Sequence, residues 1–187
     1  MNADAAGSTP SSRKPGLPIG TVTFLFTDIE GSTRLVSTLG DSYAGLLTAH
    51  NRVLREAIFR HRGSEISTEG DASFAAFPSA LDAVAAAAEA QQALAATPWP
   101  DETSVKVRMG LHSGEGRLGG DNYIGVDVHR AARIAAVAHG GQVLLSDATR
   151  VWWQVVCLPG STSVTSASIG SRICRCPSGS GSSRSTV

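Results

Sequence analysis

One stretch constrains this chain more than any other: Val22, Phe24, Leu25 and Phe26 form an apolar run that breaks at Asp28, Gly31, Ser32 and Thr33. A short run of β-branched and aromatic residues bounded by turn formers reads as a buried strand, predicted over residues 20–27. The exit reads as a strand-to-helix turn, with Ser32 as the expected N-cap and Gly31 allowing the backbone to approach a ligand. Amides at the head of a helix favour phosphate. Asp28 adds a hard oxygen donor of the kind magnesium takes. Together they suggest a nucleotide site, although an aspartate leaving a strand also serves as an ordinary turn former.

The elements that follow predict an α+β fold. A short helix over 32–39 is stopped by Gly40, and Asp41 opens a longer one. In that second helix Tyr43, Leu46, Leu47, His50, Val53, Leu54, Ala57 and Ile58 fall near helical spacing, to an end near His61. Strands over 65–68 and 73–77 flank a tight connection at Gly70 and Asp71. Ser79 with Asp82 three residues on predicts a capping box for an alanine-rich helix ending at 96. A strand over 104–114, a loop or hairpin over 114–121, a helix over 124–139 and a strand over 142–145 come next. Ser146 then caps a small helix to about 153. The order is β-α-α-β-β-α-β-α-β-α, a ferredoxin-like split β-α-β core: an antiparallel-rich sheet with helices on one face.

Charge and composition narrow the partners. Lysine plus arginine equals aspartate plus glutamate at 16 each, which gives no electrostatic case for binding nucleic acid or an anionic membrane. No apolar run approaches the roughly 20 residues that span a bilayer. The first 18 residues are polar and lack the apolar core of a signal peptide, so a cytoplasmic location is expected. Cys157, Cys174 and Cys176 all lie late in the chain, an odd number that makes no disulfide framework and too few ligands for structural zinc. The expected organisation is a flexible arm over 1–19, one domain over 20–153 and a Ser/Gly-rich tail over 154–187.

Three features converge on phosphate chemistry. In a split β-α-β sheet, the strand ending at Asp28 and the hairpin carrying Asp71 are neighbours, so the two carboxylates can meet at one edge. Such a pair can hold divalent ions, which clamp the attacking and leaving oxygens in phosphoryl transfer. His129 and Arg133 are four apart and project from one face of their helix, with Arg130 off that face and solvated. An arginine facing a phosphate site offers a planar donor fork that is always charged.

The residues from Phe26 to Thr33, then Thr68 to Asp71, then Gly110 to Gly114, then Gly125 to Arg133 together resemble the class III adenylate/guanylate cyclase catalytic domain. The likeness covers about residues 20–153 and is strongest to the actinobacterial branch. It implies conversion of ATP or GTP to the 3′,5′-cyclic monophosphate and pyrophosphate, with two Mg²⁺ or Mn²⁺ ions, in a homodimer whose sites are shared between chains. Asp28 and Asp71 match the family's metal-binding aspartates, with Ile29 beside them as a further metal ligand. The backbone of Ile29, Glu30, Gly31, Ser32 and Thr33 matches the triphosphate loop, and Arg133 the transition-state arginine.

Three positions depart from the family pattern. Ser67 stands where a purine-reading lysine is usual, Asn122 where a second purine reader is often aspartate, and His129 where an asparagine orients the ribose. The metal half is intact while base and ribose recognition are altered, which leaves a weak cyclase and a nucleotide-sensing domain without turnover as the two expectations. The composition after Gln154 departs from the family too, and a frameshifted or truncated gene would account for it.

Overall fold

The first strand is buried on both faces, which is why its apolar residues run together instead of alternating. In the computed structural model, which describes residues 16–100 and 103–154, Val22 and Phe24 face one core cluster while Leu25 and Ile29 face another. The strand is β1 (Gly20–Ile29). It is followed by α1 (Ser32–Leu39), α2 (Ser42–Arg60), β2 (Ser64–Glu69), β3 (Ala72–Phe77), α3 (Ala80–Ala96), β4 (Val107–Gly119), β5 (Asn122–Ile124), α4 (Val126–Ala136), β6 (Val143–Leu145) and α5 (Asp147–Gln154). The strands form one sheet in the order β2-β3-β1-β4-β5, with β6 parallel to the first half of β4 and every other pair antiparallel.

The larger cluster lies between the sheet and α2 and α3, where Leu46, Leu54, Ala83, Ala87 and Leu94 meet Leu25, Phe77, Met109 and Leu111. The smaller joins Val22, Phe24, Phe74, Ala76 and Tyr123 to Ala131 of α4 on the opposite face. The helices therefore do not share one face as expected, because Gly110 and Ala131 allow α4 to sit directly on the second. A methyl group on Gly110 would fall 2.2 Å from the Ala135 amide nitrogen.

Several boundaries differ from the sequence reading, each for a local reason. Gly31 takes the left-handed conformation (φ 71°) and caps α1, so Ser32 is the first helical residue and not the N-cap. The capping box at α3 does not form. Ser79 makes no side-chain cap bond, and Arg62 donates to both Asp82 oxygens at 2.8 Å. The glycine-rich stretch expected as loop or hairpin is a hairpin, most of it within the long strand β4. Gly114 and Gly116 sit where a side chain would collide with Asp127 and with Val22, so these glycines serve close approach rather than a turn. The true turn is at Gly120 and Asp121, and β5 was not foreseen; Ile124 pairs with Arg117 in that hairpin instead of opening α4. Ser146 does cap α5, its Oγ accepting from the Thr149 amide at 3.2 Å.

Of the expected arm, Leu17 packs on the smaller cluster and the Pro18 carbonyl accepts from the Tyr123 hydroxyl at 2.6 Å. Burial pushes that phenol up to about 12. The tail and all three cysteines lie outside the described residues.

Candidate active site

Asp28 sits opposite Arg108 in the β1–β4 register, and the pairing sets their chemistry. Arg108 Nε donates to Asp28 Oδ2 at 2.9 Å, a terminal guanidinium nitrogen donates to the same oxygen, and Nη1 reaches the Ala136 carbonyl at the end of α4 (3.5 Å). At the tip of the β2–β3 hairpin, Gly70 takes φ 61° and turns the chain so that Asp71 returns to β1. Asp71 Oδ2 accepts from the Ile29 amide at 3.2 Å. The two aspartates come together at one end of β1. Burial raises the pKa of Asp28, the Arg108 guanidinium opposes that shift, and the neighbouring Asp71 adds to it.

The helix behind them feels the same charge. Burial and then the Asp71 and Asp28 carboxylates push the Tyr43 phenol up. Burial holds His50 below the ordinary imidazole range, partly offset by its contact with Asn51 and by the charge of Asp71. Tyr43 and His50 are two turns apart in α2. The sequence placed both on the core-facing side without connecting them to Asp71. Arg108 was missed altogether. Its one signal is a guanidinium between Val107 and Met109, both buried.

No group of three or more His, Cys, Asp or Glu side chains able to hold a metal occurs among the described residues. The donors at hand are two carboxylates and backbone oxygen. That set suits a small hard cation such as magnesium, which takes one or two carboxylates and completes its shell with water and substrate phosphate. The amides of Ile29 and Glu30 are already engaged, the first by Asp71 and the second by the Lys106 carbonyl at 2.9 Å. The amides left to meet an anion are those of Gly31, Ser32 and Thr33 at the head of α1.

The remaining candidates lie elsewhere. His129 and Arg133 are exposed and line an open depression on the outer side of α4. Arg130 is exposed, as expected, but shares that depression with them, and its Nη1 donates to Asp127 at 2.9 Å. Ser67 lies on β2 beside an irregularity in the β2–β3 register, and Asn122 begins β5 with its Oδ1 accepting from the Tyr123 amide at 2.7 Å. The strand order puts Ser67 and Asn122 on opposite edges of the sheet. At ~4.8 Å per strand they are about 19 Å apart across it.

The sequence pattern of the adenylate and guanylate cyclase catalytic domain matches residues 17–167. An uncharacterised protein of Mycobacterium tuberculosis is 39% identical over 140 residues, which is 74% of this chain and 46% of that protein. An adenylate cyclase of Lachancea kluyveri is 34% identical over 157 residues, 69% of this chain and 8% of that protein. This chain therefore spans less than half the length of either relative. Among solved structures, an adenylate cyclase of Trypanosoma brucei in its monomeric state superposes with a TM-score of 0.68 at 28% identity, covering 75% of this chain and 79% of that one.

Proposed function

The chain belongs to the adenylate and guanylate cyclase catalytic domain family, and from that premise we propose that it forms a cyclic purine nucleotide from ATP or GTP in a homodimer. The ribose 3′-oxygen forms a bond to the α-phosphorus, the bond from that phosphorus to the bridging oxygen breaks, pyrophosphate leaves with the electron pair, and the hydroxyl proton passes to solvent. Asp28 and Asp71, with the Ile29 carbonyl, would hold two Mg²⁺ or Mn²⁺ ions. When bound, such ions neutralise the triphosphate and favour ionisation of the attacking hydroxyl.

The chain's own groups supply the rest. The Gly31, Ser32 and Thr33 amides receive phosphate oxygens. Arg108 is the resident counter-charge of Asp28, and once that carboxylate turns to a cation the guanidinium is left beside a polyanion. Arg133 of a second copy offsets charge on the α-phosphoryl oxygens. His129 donates to a ribose oxygen, and Ser67 and Asn122 hydrogen-bond the base edge.

The observation that carries this reading is the meeting of Asp28 and Asp71 beside the head of α1. The test is cyclic nucleotide formation by the 187-residue chain, with ATP and GTP separately, in Mn²⁺ and then Mg²⁺. Product that disappears in Asp71→Ala supports a cyclase. Dimeric protein that binds nucleotide without product assigns a sensing domain instead.

A further inference from the structure

Gly110, His112, Ser113 and Gly114 belong to a motif that the proposed chemistry leaves without a task. Along the outer edge of β4, β6 pairs at 109–111 and β5 at 117–119. In the gap between them a side chain and a backbone amide take over. Asp127 Oδ2 accepts from the Glu115 amide at 2.9 Å, and Ser146 follows directly on β6, its own amide bonded to the Leu111 carbonyl at 2.9 Å. His112, only 7% exposed, joins the two: Nε2 lies 3.1 Å from Asp127 Oδ1 and Nδ1 lies 2.9 Å from Ser146 Oγ.

Behind Ser146 the bonds continue through the sheet. Ser146 Oγ meets Thr149 Oγ1 at 3.1 Å, Ser113 Oγ donates to Thr149 Oγ1 at 3.1 Å, and Thr23 Oγ1 meets Ser113 Oγ at 2.8 Å. Thr23, Ser113 and Thr149 are all buried. The direction of the chain follows from counting protons. Ser113 spends its proton on Thr149, so Thr23 must donate to Ser113. Asp127 as a carboxylate can only accept, so the His112 proton sits on Nε2; Nδ1 of the neutral ring then accepts from Ser146, and Ser146 from Thr149.

We propose that His112 is a positioning residue for α4. As a neutral imidazole protonated on Nε2, it ties Asp127 in the first turn of that helix to β4 and to the cap of α5. Asp127 also packs onto Gly114, where a methyl group would fall 2.4 Å from its carboxyl carbon. The helix is thereby fixed at its N-terminal end by this network and near its C-terminal end by the Gly110–Ala135 contact. His129 and Arg133 lie between the two fixed points, so their placement depends on both. The functional consequence rests on the role proposed above for Arg133, but the positioning itself does not.

The test uses the full chain. In the wild type, imidazole ¹⁵N spectroscopy should show His112 neutral with its proton on Nε2 at pH 7; a proton on Nδ1 would overturn the bonding. In His112→Phe, amide exchange in α4 should accelerate roughly tenfold or more, as expected for loss of a hydrogen bond to a charged group, while β1 and β3 keep their protection. His112→Gln, which retains a donor near the Nε2 position, should recover most of it. Equal acceleration in all elements, or no recovery in Gln, would reduce His112 to a core residue and sink the proposal. Where the wild type forms cyclic nucleotide, kcat should fall in Phe and recover in Gln with KM little changed. Absence of product in the wild type would count against the cyclase reading alone, with the spectrum and exchange still deciding this one. The wild-type spectrum also stands if His112→Phe does not fold, in which case Asp127→Asn replaces it in the exchange measurement.

Discussion

Arg108 and Asp28 face each other across the β1–β4 ladder, with Arg108 Nε 2.9 Å from Asp28 Oδ2, so a proposed metal ligand carries its own internal counter-ion. Any cation that binds Asp28 competes with that guanidinium. Arg108→Ala should therefore tighten Mn²⁺ binding in the absence of nucleotide by a few-fold up to about tenfold, the scale of a partly exposed ion pair. Titration calorimetry on the two proteins reads this directly. Weaker Mn²⁺ binding in the variant would mean that Arg108 organises the carboxylates rather than competing for them.

Asp71 has two separable tasks, since its Oδ2 also accepts from the Ile29 amide. Asp71→Ala should lose metal binding and also about 1 kcal/mol of stability, for one hydrogen bond removed at a part-buried site. Asp71→Asn keeps an oxygen for Ile29 while losing the charge. It should melt close to wild type yet bind Mn²⁺ at least about tenfold more weakly. Thermal melts with calorimetry separate the two. Parallel losses of stability in both variants would show that the charge itself holds the hairpin.

How much of this was legible in the sequence depends on whether a residue's partner is local. The Asp28 turn, the Gly70–Asp71 hairpin and the Ser146 cap were readable because each is decided within a few residues. The strand neighbours that bring Asp28 to Asp71 followed from the topology of a split β-α-β core. What escaped notice is set by distant approach. The glycines at 114 and 116 looked like loop because the helix and strand that crowd them lie far away in sequence. Asp82 looked like a cap until Arg62, twenty residues earlier, claimed both its oxygens. Arg108 meets Asp28, eighty residues earlier, through the β1–β4 register.

His50 should make the fold acid-sensitive. It is fully buried in α2, its Nε2 has no hydrogen-bond partner among the described residues, and burial lowers its pKa from the ordinary 6.5. The native chain then binds fewer protons than the unfolded one, so the contribution of His50 is complete above 6.5 and is lost as pH falls through 6.5 toward the folded value. The slope approaches about 1.4 kcal/mol per pH unit for one proton. Denaturant unfolding at pH 7.5 and 5.5 should show a smaller decrease in His50→Leu than in wild type. Equal decreases would mean that the imidazole gains a proton without cost in the folded state.

Asp127 should act in the opposite part of the scale. Burial alone would raise its pKa, but the Glu115 amide, His112 and Arg130 outweigh that and hold it below 3.8. A lowered carboxylate contributes stability that is complete above 3.8 and is lost as pH falls below it toward the folded value. The stability gap between wild type and Asp127→Asn should therefore be constant from pH 7 to about 5 and close only in strong acid. A gap that closes already between pH 6 and 5 would mean that the Glu115 amide and Arg130 do not hold this carboxylate low.

The shared-site reading makes the sharpest demand on chain composition. Ser67 and Asn122 lie on opposite edges of one sheet, and neither His129 nor Arg133 bonds to the Asp28–Asp71 pair in a single chain. If one nucleotide is held by all of them, two copies must contribute. Asp28→Ala and Arg133→Ala chains should each be inactive alone, whereas a mixed dimer would hold one site with both residues intact and one with both lost. Random mixing in equal amounts makes half the dimers mixed, each with one working site of two, so about a quarter of wild-type activity should return. Recovery that rises with mixing time as subunits exchange would support the composite site. If the mixture stays inactive while exchange of labelled chains is complete, the site must be built within one chain.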